Sequence, residues 1–350
     1  MHHNFFAGLR AEVQQYFTDH HLPMQGPASL YRKTAAIFLA WLACYAVLLC
    51  LGPGRMEVAV LATTGLAIFT VAMQLGIMHD VSHDAFSNRR LLNTCMNFTL
   101  TMVGGSSILW HHKHVVRHHG HTNVPDVDDD IDTEGMFRFR AADRWQPAYR
   151  FQHVYAWLLY AGLCLQWFWY SDPRKVFNNL YRLRGRQLAW LWVELVVSKI
   201  SNVMIFLVAP VICFQSVWVG LAVYLWHWLL VGFALTVIFQ LAHIGPMQLF
   251  PERRTSDWAL HQLCTTADYG VNDPVLTWLV GGLNFQVEHH IFPRMSHTHY
   301  PAVQRIVKSY CQRNGVAYHE YPSFWSALAT HYRHLQELSR PNEEIEAVAA

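Results

Sequence analysis

The stretch TAAIFLAWLACYAVLLCLGPGRMEVAVLATTGLAIFTVAMQLGIMHDVSH, residues 34–83, decides the fold. Residues 34–51 and 58–78 contain no charged side chain. Helices of these lengths reach about 27 Å and 31 Å, enough to cross the hydrocarbon core of a bilayer. Because a short turn containing Gly-Pro-Gly joins them, we predict a transmembrane hairpin whose second helix leads into His79 and His83.

A second hairpin is predicted farther along the chain. Residues 188–213 are apolar except for Glu194 and Lys199, and residues 217–240 carry no charge. Because charges are costly in hydrocarbon, we expect Glu194 and Lys199 to face protein, water or each other, unless this helix is tilted or partly interfacial. The shorter apolar runs 91–110 and 154–170 are interpreted as helices that lie in the membrane interface.

This pattern divides the chain into three parts. An N-terminal amphipathic segment (1–33) precedes a membrane domain (34–340), and a tail (341–350) is expected to be disordered. Two hairpins return the chain to its starting side, so segments 79–187 and 241–340 are predicted to form one cap, with amphipathic helices at 302–311 and 324–338. By the positive-inside rule, the basic connector 171–187 predicts that this cap is cytoplasmic. The membrane itself is expected to be a bacterial inner membrane rather than the endoplasmic reticulum.

The composition agrees with an all-α integral membrane protein that has four transmembrane helices. Charged residues make up 14% of the chain and hydrophobic residues 53%, with a formal net charge of +2. A disordered or nucleic-acid-binding chain is excluded, because both require an excess of charge. Histidine is unusually frequent: its 23 residues almost equal the 26 lysines and arginines together, which calls for a chemical explanation.

Histidines cluster at the cytosolic ends of the predicted spans. His79 and His83 lie one helical turn apart, as do His114 and His118. The full set of candidate ligands is His79, His83, His114, His118, His119, His243, His289 and His290. Eight imidazoles exceed the need of one tetrahedral ion and suit two ions, so the cap is predicted to carry a di-metal site. Imidazole alone does not choose among zinc, copper, iron and nickel.

The remaining histidines are treated separately. Three next to the second cluster, His111, His112 and His121, stay undecided. The others are expected to be ordinary hydrogen-bonded polar groups: His2, His3, His20, His21, His153, His227, His297, His299, His319, His331 and His334. Acidic neighbours at Asp80, Asp84, Glu288 and 128–130 are placed to accept hydrogen bonds from imidazole N–H groups. A solvated loop is the alternative for the run 128–130.

These clusters resemble the three histidine boxes of the membrane fatty acid desaturases. His79–His83 resembles the first box, His114-x-x-x-His118-His119 the second, and Gln286-x-x-His289-His290 the third. Glutamine at the start of the third box is typical of front-end and related acyl-CoA or acyl-lipid members. Flanking segments at Trp110, 122–123, 261–268 and 299–325 are also similar.

The resemblance implies two non-haem irons bound by histidines, dioxygen as oxidant, and a bent tunnel for a fatty acyl chain. Such chemistry needs a metal–oxygen species, because an unactivated methylene has no acidic proton. Gln286 and His261 are possible further contacts to a metal or its water. The polar residues expected to support the ligands are Asp80, Asn123, Asp128, Glu288 and Asp268.

The family also implies an electron donor, ferredoxin or cytochrome b5. A separate donor is expected, since no His-Pro-Gly-Gly haem motif occurs in the chain. The basic connector Arg174–Arg186 is a candidate dock for it, with attraction to lipid head groups as the alternative.

The function predicted is therefore dioxygen-dependent dehydrogenation of an acyl chain carried by CoA, acyl carrier protein or a lipid. The same fold could instead hydroxylate, epoxidise or form a triple bond. Two further classes are a haem-binding electron carrier, which would need histidine pairs at mid-span depth, and a zinc-dependent membrane hydrolase.

Overall fold

The computed structural model describes residues 5–342. Its helices are α1 Phe5–Asp19, α2 Ala28–Leu51, α3 Met56–Ser82, α4 Arg90–Met96, α5 Phe98–Val103, α6 Ser107–Trp110, α7 Gln152–Ala161, α8 Leu163–Gln166, α9 Asp172–Phe177, α10 Gly185–Phe214, α11 Val217–His243, α12 Trp258–Thr265, α13 Pro274–Leu279, α14 Gln286–Ile291, α15 Tyr300–Arg313 and α16 Phe324–Leu338. π-Helical turns lie at Gln74–Met78 within α3, at Met204–Val208 within α10, and separately at His111–His118 and Trp167–Ser171. Short 3₁₀ turns occur at His119–His121, Pro147–Phe151 and His297–His299.

The predicted spans are confirmed as four helices long and apolar enough to cross a membrane: α2, α3, α10 and α11. Each is longer than its apolar core, because polar residues at the ends continue the helix. Helix α3 packs along both α2 and α11. The predicted all-α class also holds, with one small addition: the strands β1 Asp268–Tyr269 and β2 Glu320–Tyr321 pair in parallel within the cap.

The two charges predicted within the third span face protein and not each other. The Glu194 carboxylate accepts hydrogen bonds from Ser106 Oγ (2.7 Å) and from the backbone N–H of Ser107 (2.8 Å), at the beginning of α6. Lys199 donates to the carbonyl of Gly104, whose φ of 112° is easily adopted only by glycine. These contacts tie α10 to the segment that leads into the second histidine cluster.

The two shorter apolar runs form broken helices. Residues 91–110 divide into α4, α5 and α6, and residues 154–170 divide into α7, α8 and a π-helical turn. Helix α7 packs on α11 and on α16. Neither run is among the four candidate spans, and their depth in the interface stays a prediction.

The cap is closed by amphipathic helices. Helix α1 buries Phe5, Leu9, Val13 and Phe17, which recur every fourth residue and therefore share one face, and it packs against α12 and α15. The amphipathic helices predicted at 302–311 and 324–338 are present as α15 and α16. His2, His3 and residues 343–350 of the expected tail lie outside the described residues.

Candidate metal centre

Four separate parts of the chain bring the predicted ligands together. The end of α3 supplies His79 and His83, and the end of α11 supplies His243. The π-helical turn His111–His118, the 3₁₀ turn after it, and α14 supply the other five. Each of the eight side chains is at most 4% exposed, although the outermost ones in sequence are more than 200 residues apart.

The eight imidazoles form two adjoining groups, and within each group the candidate ligand atoms lie within 4.8 Å of one another. Group A is His79, His83, His114, His119 and His289; group B is His118, His243 and His290. The groups touch where the rings of His119 and His290 stack, with centroids 4.2 Å apart. The geometry is that of two neighbouring sites rather than one.

The nitrogen positions fit metal ions. The Nε2 atoms of His79 and His114 are 2.9 Å apart, and those of His119 and His289 are 3.0 Å apart. Two nitrogens at about 2.1 Å from one ion and at right angles to each other would also be about 3 Å apart. In group B, Nε2 of His118 and His290 and both ring nitrogens of His243 are buried without a hydrogen-bond partner in residues 5–342.

The protonation states of the two histidines in α14 agree with this fit. Burial, followed by the neighbouring imidazoles, lowers the pKa of His289 and His290 well below the ordinary value. Both side chains are therefore neutral near pH 7, the form in which imidazole binds a metal. The donor set suits two imidazole-bound ions.

Carboxylates of the loop 128–130 orient two of these rings. Asp128 accepts from His118 Nδ1 at 2.9 Å, and Asp130 accepts from His114 Nδ1 at 2.7 Å. Each contact keeps the proton on Nδ1 and leaves Nε2 free for a metal. Asp128 is only 2% exposed, so this run is not a solvated loop.

The other predicted acidic supports do not contact a candidate ligand ring in the described structure. Asp80 accepts from His297 Nδ1 at 2.9 Å, and Asp84 is exposed beside Arg294. Glu288 and Asp268 instead both lie within hydrogen-bond distance of the Tyr318 hydroxyl, whose single proton is donated to Asp268. The physical reason is that residues adjacent in a helix point about 100° apart, so an acid next to a ligand histidine faces away from the metal site.

Asn123 and His261 also differ from expectation. The side-chain amide of Asn123 donates to backbone carbonyls, including that of His243 at 2.9 Å, and reaches no imidazole. His261 Nε2 donates to the carbonyl of Thr122 at 3.0 Å and lies outside both groups. Both residues hold the backbone around the site, because the Asn123 amide N–H groups and His261 Nε2 donate to backbone carbonyls.

Three supporting residues were missed by sequence reasoning, and one of them is Thr122, whose Oγ1 lies 3.2 Å from His290 Nδ1. The Tyr300 hydroxyl hydrogen-bonds His289 Nδ1 at 3.1 Å, and Gln262 Oε1 accepts from His290 Nδ1 at 3.0 Å. Their segments had been matched to the family, yet nothing in the spacing indicated that they reach the third box. They orient its two rings as Asp128 and Asp130 orient those of the second.

A mostly apolar cavity of about 150 Å³, here called the acyl cavity, begins beside His79 and His114. Its lining includes Gln286, whose Oε1 is buried and has no hydrogen-bond partner within residues 5–342. Cys164 and Trp228 are among the buried residues of its lining. A hydrocarbon chain without polar groups could therefore reach the histidines through largely apolar surroundings.

Comparison with known proteins gives matches over most of the chain. The family model for fatty acid desaturase matches residues 56–322. An sn-1 linoleoyl-lipid 6-desaturase from Synechocystis is 32% identical, over 95% of this chain and 94% of that protein. The corresponding enzyme from Arthrospira platensis is 30% identical, over 98% and 95%. An acyl-lipid (8-3)-desaturase from Physcomitrium patens is 30% identical, over 96% of this chain and 72% of its own length.

Proposed function

This chain belongs to the fatty acid desaturase family, and we propose that it desaturates a lipid-bound acyl chain near its carboxyl end. The predicted resemblance is confirmed, and the enzyme is an oxygen-dependent desaturase rather than a haem carrier or a zinc hydrolase. The observation that carries the proposal is the convergence of eight buried imidazoles next to the acyl cavity.

We assign one iron to each histidine group. When bound, the two ions supply the activation of dioxygen that removal of hydrogen from unactivated methylenes requires. The protein's own part is orientation: Asp128 and Asp130 fix His118 and His114, and the eight imidazoles are buried away from bulk water. Gln286, which lines the cavity together with His79, contributes a buried amide oxygen that could bind water or a metal.

The relatives suggest the class of substrate. Two are named for position 6 of a linoleoyl chain carried by a lipid, and others for acyl-lipids. A carrier that stays in the membrane also suits a cavity lined by two of the four apolar helices, α3 and α11. We therefore propose a polyunsaturated acyl lipid as substrate and insertion between its carboxyl end and the first existing double bond.

The electrons are proposed to come from a separate ferredoxin or cytochrome b5 on the cytoplasmic side. Within the connector Arg174–Arg186, Arg174 pairs with Glu134, whereas Arg182, Arg184 and Arg186 are exposed. Three exposed cations on one short segment could attract an acidic protein or anionic head groups. The positive charge of this connector also supports the cytoplasmic orientation.

The test is lipid analysis of a bacterial host that expresses the chain and is fed linoleic acid. Mass spectrometry should show a product lighter by two hydrogens, whereas gain of an oxygen atom would refute desaturation. His118→Ala and His289→Ala should each abolish the product. His121→Ala, outside both groups, is the matched control and should retain it. Persistence of product in both ligand variants would overturn the metal assignment.

A further inference from the structure

A second cavity, of about 190 Å³, lies next to the acyl cavity and is largely polar. Met78 and Trp110 line both spaces, so the two cavities adjoin at these side chains. Polar side chains from α4 and the residues around it dominate the second lining; they include Arg90, Asn93, Asn97, Ser107 and His111. We call this space the polar cavity.

Several groups in the polar cavity lack partners. Asn93 Oδ1, an acceptor, and Trp110 Nε1, a donor, are both buried without a hydrogen bond in the described part of the chain. Arg90 pairs with no carboxylate within residues 5–342, whereas Asp84 at the same cavity lies 3.9 Å from Arg294. Unsatisfied buried groups cost free energy, so a ligand that offers an acceptor to Trp110 and a donor to Asn93 would be stabilised here, and the exposed Arg90 adds an attraction for negative charge.

If the proposed function holds, the position of the polar cavity fits the carboxyl end of the acyl substrate. The Trp110 ring stacks on the His114 ring with centroids 4.4 Å apart, so the polar cavity lies one ring layer from the histidine centre. Five carbon–carbon bonds separate carbon 1 from carbon 6, a span of about 6 Å at ordinary bond lengths. An ester in or near this cavity would therefore place carbon 6 beside the histidines.

We propose that the polar cavity binds the phosphoester head of a membrane phospholipid whose acyl chain enters the acyl cavity. Arg90 pairs with the phosphate, for which the guanidinium is well suited. Trp110 Nε1 donates to the ester carbonyl, and Asn93 Oδ1 accepts from an amine or hydroxyl of the head group. Coenzyme A fits poorly, because its three phosphates would meet a single unpaired arginine in a small space.

The test measures lipid binding and product distribution in the full-length, iron-loaded enzyme. Native mass spectrometry after exchange into phosphatidylethanolamine or phosphatidylglycerol vesicles should show retained phospholipid. Arg90→Gln should weaken retention about tenfold, the size of one charge-assisted hydrogen bond. Arg89→Gln is the matched control, since Arg89 is exposed like Arg90 but does not line the cavity. Preference between the two vesicles identifies whether an amine or a hydroxyl faces Asn93.

Asn93→Ala provides a second variant, because Asn93 Oδ1 is the atom proposed to accept from the head group. It should also weaken retention while leaving iron content unchanged. Equal retention by the Arg90 and Arg89 variants, or desaturated product found only on CoA or as free acid, would overturn the proposal. Absence of desaturated product on every carrier would instead refute the proposed function, while the retention measurement would still decide on the cavity.

Discussion

Replacement of Asp128 by asparagine removes the negative charge that contacts His118 of the second box. The carboxylate accepts from His118 Nδ1 at 2.9 and 3.0 Å and from the backbone N–H groups of Asn123 (2.8 Å) and Asp130 (2.9 Å). An amide has only one oxygen, so its NH₂ group would face at least one of these donors. Orienting contacts of this kind change metal affinity about 10–100-fold, and we expect a loss of that size at group B.

The assay is iron content per chain after dialysis against a weak chelator, together with product formation in the host. The iron content of the Asp128→Asn variant should fall from two per chain toward one, because group A has its own ligands and His114 keeps its contact with Asp130. Asp129→Asn is the matched control, since Asp129 binds Arg117 and Tyr181 but no imidazole. The reasoning fails if the Asp128 variant keeps two irons as firmly as the native chain, or if the control loses as much.

Three further predictions concern the scaffold, the pH response and the cavity. Glu194→Gln should lower the free energy of unfolding by about 1.5–3 kcal/mol in a denaturant titration, since the carboxylate accepts from Ser106; an unchanged midpoint would contradict this. Burial and the nearby Asp268 raise the pKa of Glu288, so the folded state favours the protonated form of this side chain. The contribution of Glu288 to folding stability is therefore lost as pH rises through that raised value. Glu288→Gln should therefore gain thermal stability over the native chain as pH increases from about 5 to 8, and a constant difference would argue against the buried pair. Cys164→Phe should fill part of the acyl cavity and shift products toward shorter chains, whereas an unaltered chain-length profile would place the acyl chain elsewhere.

The spans and the eight histidines could be predicted because their signals are local. A run such as 58–78 reveals its length and lack of charge without knowledge of its neighbours. Counting two hairpins then placed His79 and His289 on one side of the membrane, and the structure brings their rings to 4.4 Å. The division into groups A and B needed the actual packing, because spacing alone does not say which box shares an ion with which.

The supporting contacts could not be predicted from neighbours in sequence. Asp80 follows His79 directly, yet it binds His297, which is more than 200 residues farther along the chain. The other ring nitrogen of His297, Nε2, lies 2.9 Å from Lys33 Nζ. The partners of the third box, Tyr300 and Gln262, come from flanking helices in the same way. Of the acidic residues expected to contact the ligand histidines, only those of the loop 128–130 do so, since this loop folds back over the turn His111–His118.

The most direct test of the central claim is anomalous scattering at the iron absorption edge from crystals of the iron-loaded enzyme. Two peaks per chain are expected, one bounded by group A and the other by group B, with His118 and His243 on the second. A single peak, or a metal bound away from these imidazoles, would contradict the assignment of a binuclear centre.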